Sequence, residues 1–60
     1  MKELTAGDAI LWRIKGQDRA YTYGYVASIS GDLVQVGAYR GHMSGTWYDV
    51  SEIEWREYPK

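Results

Sequence analysis

His42 and Ser44 stand two residues apart in the run Arg40-Gly41-His42-Met43-Ser44-Gly45, the first place to look for chemistry. An imidazole beside a hydroxyl is the beginning of a nucleophile–base pair, which also needs a third group to orient the ring. A loop bounded by glycines holds side chains too loosely for that geometry, so His42 is expected to be a solvated loop residue. Glu52, Glu54 and Glu57 are the other candidates, because acid–base work needs carboxyls whose pKa values burial drives apart. They crowd a short C-terminal segment and are expected to be solvated too. With one histidine and no cysteine, the chain offers no thiolate or multi-histidine metal site. The expectation is a protein that is not an enzyme, with no catalytic residue, no metal ligand and no cofactor.

Binding chemistry is better represented. Arg13, Lys15 and Arg19 flank a polar stretch, and Tyr21, Tyr23 and Tyr25 follow it directly. Cations beside an aromatic row suit single-stranded nucleic acid, where bases stack and phosphates pair. Seven Lys and Arg against eight Asp and Glu leave a formal charge of −1, however, and Asp18 and Asp32 interrupt the patch. Phosphate contacts carry most non-specific affinity, so binding of that kind would be weak. A protein or peptide partner is the leading expectation, with nucleic acid the alternative.

The expected contact residues are Tyr23, Tyr25, Tyr39, Trp47 and Asp49, with Arg19 and Arg40 at the rim. Rings around a carboxylate make a cage for a cation. Arginines at its edge add charge-assisted hydrogen bonds. Cross-strand pairing of the rings would merely stabilise a sheet. A second copy of the chain is a further way to cover so apolar a face, which makes a homo-oligomer an alternative.

These assignments depend on strands, because alternation decides which side each ring takes. Asp8–Ile14 reads as the first strand, with Ile10, Trp12 and Ile14 on one face. Tyr21–Ser30 reads as a long second strand, with Tyr21, Tyr23, Tyr25 and Ala27 on one face and Gly24 and Val26 on the other. Ile29 has the parity of the tyrosines, so burying both Val26 and Ile29 requires a bulge or bend, which Gly24 permits. Ser30-Gly31-Asp32 marks a hairpin. Leu33–Tyr39 follows, with Val34, Val36 and Ala38 inward, and then a looser loop. Thr46–Val50 is the fourth strand. Ser51-Glu52-Ile53 reads as a 3₁₀ turn capped by an oxygen of Asp49 or Ser51, and Glu54–Tyr58 as the last strand. The expected core is Ile10, Trp12, Val26, Ile29, Val34, Val36, Val50 and Ile53.

Sixty residues make one domain, 1–60, with a small core. Six Tyr and three Trp with no Phe favour half-buried surfaces over pure core. No stretch is apolar and long enough to span a bilayer, and Met1-Lys2-Glu3-Leu4 opens no signal peptide, so a cytoplasmic location without membrane contact is expected.

Five strands, a long loop after the first, two hairpins and a 3₁₀ turn before the last strand resemble the SH3-like barrel, and the Tudor-like chromatin readers in particular. The residues carrying the likeness are Gly7-Asp8, Gly24-Tyr25-Val26, Val34-Gln35-Val36 and Val50-Ser51-Glu52-Ile53-Glu54. The resemblance implies a closed all-β barrel and a stand-alone binding or adaptor module, of the kind found as accessory proteins in phages and mobile elements. The layout is also similar to the type II dihydrofolate reductases, small SH3-like chains that work as tetramers around a shared pore. Their pore motif, Val-Gln-Ile-Tyr, stands where this chain has Thr46-Trp47-Tyr48-Asp49-Val50, so an oligomeric reductase ranks third.

Overall fold

Runs of alternating side chains separated by glycine turns give five strands in the computed structural model, which describes residues 3–59. They are β1 (Ala9–Ile14), β2 (Thr22–Ser30), β3 (Leu33–Gly37), β4 (Thr46–Asp49) and β5 (Ile53–Glu57), with a 3₁₀ turn at Val50–Glu52. All pairings are antiparallel, in the order β4-β3-β2-β1-β5. Asp49 caps the 3₁₀ turn, its Oδ1 accepting from the Ser51 amide and hydroxyl at 2.9 and 2.7 Å.

The second strand contains the irregularity that its parity demands. The β2–β3 register jumps from Val26↔Val36 to Ser28↔Gln35. That bulge lets Val26 and the next residue, Ala27, both be buried, and it turns Ile29 to the side of Val34. Ala27 therefore joins the core rather than the tyrosine face. Gly24 is not the bend. It is buried opposite Ile10, and a Cβ there would lie 2.6 Å from the Trp12 ring and 2.8 Å from Val36 Cγ1. Its missing side chain is what lets the indole approach the β2 backbone so closely.

The core contains Ile10, Val26, Val34, Val36 and Ile53, with Leu4, Trp12, Ile14, Tyr48 and Trp55 packed around it. Two expected members are displaced: Ile29 is 40% and Val50 37% exposed, since both sit where the sheet opens at one end. The sheet curls over this core, and Tyr48 on β4 meets Trp12 on β1 with ring centroids 4.9 Å apart. Among the described residues no ladder joins β4 to β5, so the sheet is not closed into the expected barrel. The third strand stops at Gly37, two residues early, leaving Ala38 and Tyr39 in the following loop. The last strand begins one residue early, at Ile53. No helix among the described residues is long and apolar enough to cross a membrane.

Candidate functional site

Strand register builds the outer face of the sheet in rows. Tyr23, Leu11 and Arg56 lie abreast on β2, β1 and β5. Arg13 and Glu54 form the next row, and Tyr25 and Ala9 the row on the other side. Tyr58 extends β5, its amide donating to the Ala9 carbonyl at 3.2 Å, and its ring meets Tyr23 edge-on at 5.2 Å. Tyr21 precedes β2 and lies beside both arginines: the Arg13 and Arg56 guanidinium carbons are 4.5 and 4.6 Å from its ring centroid.

This cluster is ordered by charge as well as by rings. Arg13 donates to Glu54 Oε2 at 3.2 Å and to the Arg19 carbonyl at 2.9 Å, and the Tyr21 hydroxyl reaches the same Glu54 oxygen at 3.4 Å. Glu54 thus balances Arg13, whereas Arg56 is held by the ring alone among the described contacts. Arg13 Nε is buried and finds no hydrogen-bond partner among the described residues, so the stack on Tyr21 carries a polar cost.

Of the seven expected contact residues, the face gathers two. Tyr23 and Tyr25 lie on it, half-buried rather than bare. Trp47 and Asp49 do lie on the outer side, paired with Gln35 and Leu33, but two strands away on β4. Between them the 38–45 loop folds over Gly37, the partner of Tyr25; a Cβ on Gly37 would lie 2.5 Å from the His42 carbonyl oxygen. Tyr39 belongs to that loop and stacks on His42 at 4.5 Å and 9°. The expected cage is therefore not assembled, and the Asp49 carboxylate is committed to its cap. Arg19 contributes its carbonyl, and exposed Arg40 lines a groove with Trp55, Glu57 and Tyr58 at the border of the face. The residues missed were Arg56 and Tyr58. Their signal was the alternation of the last strand, which places Glu54 and Arg56 on one side.

The loop is better organised than its glycines suggest, and His42 is not simply solvated. The Ala38 amide donates to His42 Nδ1 at 2.9 Å, and His42 Nε2 lies 2.8 Å from Ser44 Oγ. An Nδ1 that accepts leaves the neutral ring's proton on Nε2, which then donates to Ser44. A base must take the serine proton, and this tautomer cannot. The pair fastens the loop rather than activating a nucleophile.

Two carboxyls are held below their usual range. The Ser51 amide and then its hydroxyl lower Asp49, and the hydrogen bond from Arg13 is the leading cause for Glu54. A depressed folded value means stability that is complete above the unfolded pKa, near ~4, and lost as pH falls through the folded one. Thermal melting followed from pH 7 to 2 should show its steepest loss below roughly pH 4. Asp49→Asn with Glu54→Gln should flatten that loss; an unchanged profile would mean these bonds do not form in solution.

Comparison with protein-family models, with curated proteins and with solved structures finds no match for this chain.

Proposed function

We propose that this chain is a small protein-binding module whose contact face is the outer side of β2, β1 and β5. The supporting observation is the platform of Tyr21, Tyr23 and Tyr58 with Arg13 and Arg56, ordered by ring contacts at 4.5–5.2 Å, with Tyr25 in the neighbouring row of the same face. Tyr and Arg dominate binding energies because they bring large, stiff contact area at low entropic cost. Prior ordering in the free protein lowers that cost further.

A protein partner fits better than nucleic acid. One of the two arginines is already neutralised by Glu54, and the whole chain carries −1. A phosphate backbone needs several uncompensated cations along its track. An acidic or mixed protein surface needs one good anchor, and Arg56 stacked on Tyr21 presents its donor edges for a carboxylate.

The Tudor-like SH3 barrel remains our reading of the architecture. It is supported by the strand order, the 3₁₀ turn before β5 and the curl that brings Tyr48 to Trp12. A cytoplasmic setting belongs to the same reading, as does a second copy of the chain as one kind of partner.

The test is affinity capture with immobilised protein, followed by titration of the captured partner. Arg56→Glu and Tyr23→Ser should each weaken binding by about tenfold or more. Trp47→Ala, 44% exposed on the far edge of the sheet, should change it by less than about threefold. The opposite pattern would move the contact to β4. Salt-sensitive binding of an oligothymidylate, with no protein captured, would establish the nucleic-acid alternative instead.

A further inference from the structure

A second site lies away from the tyrosine face, where the sheet opens. Ile29, Leu33 and Val50 are 40%, 45% and 37% exposed and line one groove of about 420 Å³, floored by Val34 and Trp55. Such clustering is unexpected in a chain this short of core, because each aliphatic left in water forgoes stabilisation. The bulge after Val26 is what turns Ile29 toward this groove, and bulges commonly re-aim side chains beside functional sites.

The rim decides the occupant. Glu3 and Asp32 line the groove, and among the described residues no Lys, Arg or His does. An apolar floor under carboxylates attracts an apolar side chain flanked by cations and repels one flanked by acids. We propose that this groove docks a protein segment carrying an aliphatic or aromatic residue next to lysine or arginine. The site is independent of the tyrosine face, whose chemistry asks for an acidic partner.

Two capped tetrapeptides, acetyl-Lys-Leu-Leu-Lys-amide and acetyl-Glu-Leu-Leu-Glu-amide, can be titrated into methyl-labelled protein and followed by NMR. The basic peptide should shift the Ile29, Leu33 and Val50 methyls and bind about three- to tenfold more tightly than the acidic one. The exposed double variant Glu3→Gln/Asp32→Asn should erase that preference while keeping the native spectrum. Leu33→Ser should weaken both peptides, its fold checked by the same spectrum. Equal affinity for the two peptides, or shifts confined to other methyls, would overturn the proposal. So would a free protein already dimeric through these methyls, since a second copy would then be the occupant.

Discussion

Val36→Asp should leave the chain unfolded at room temperature. Val36 is 7% exposed, pairs with Val26 across the β2–β3 ladder and packs in a core that contains no buried polar or charged side chain among the described residues. A carboxylate placed there loses its water and gains no partner, at several kcal/mol even after relaxation. Sixty residues at ~0.05–0.15 kcal/mol each give a total stability of about 3–9 kcal/mol, so one such substitution consumes most of it. Circular dichroism and amide dispersion at pH 7 would show the loss. A native spectrum at pH 7 would mean that β3 is one residue out of register and Val36 faces water.

Gly24→Ala should destabilise the fold by about 1–3 kcal/mol, although alanine is the smallest possible change. The added methyl would lie 2.6 and 2.7 Å from Trp12 Cδ1 and Nε1 and 2.8 Å from Val36 Cγ1. None of these is the loose end of a flexible chain, for Trp12 is wedged against Tyr48 and Val36 is in the core. Urea unfolding would record a lower midpoint with an unchanged slope. Gly31→Ala supplies the contrast, since a Cβ there meets nothing within 4 Å and only its positive φ of 59° resists. If the two variants melt alike, the indole does not lie over Gly24 in solution.

The strands were legible because their alternation is local. Ile10, Val26, Val34, Val36 and Ile53 take the side that parity assigns them, and the conflict between Val26 and Ile29 correctly demanded a bulge. What parity leaves open is how far along a strand burial extends. Ile29 and Val50 lie at the open end of the sheet, and no counting of alternate residues shows where a sheet stops being covered. The contact face was misjudged for a related reason. The expectation that Tyr39 and Trp47 lie beside Tyr23 and Tyr25 carries the third strand through Tyr39. In fact β3 ends at Gly37, and the loop after it folds back across that space. Arg56 and Tyr58 were legible as residues of an outer strand face, but not as neighbours of Tyr21 and Tyr23. That neighbourhood follows from β5 pairing with β1, a contact between the two ends of the chain. His42 was misread because its order comes from the Ala38 amide and from Tyr39, and loop conformation of that kind carries no periodic signal.

The pairing of β1 with β5 also sets an order of events at birth. β2, β3 and β4 are consecutive hairpins and can zip as soon as each turn leaves the ribosome, with little closure entropy. Of these five strands β1 is made first yet occupies an interior place in the sheet, and its second neighbour is the last of the five. Until β5 has emerged, β1 presents an open edge with Leu11 and Trp12 on its two sides, a template for any passing strand. Tyr21 and Arg13 reach their partners Arg56 and Glu54 only at that final step, so the aromatic platform is completed by the same event that finishes the fold.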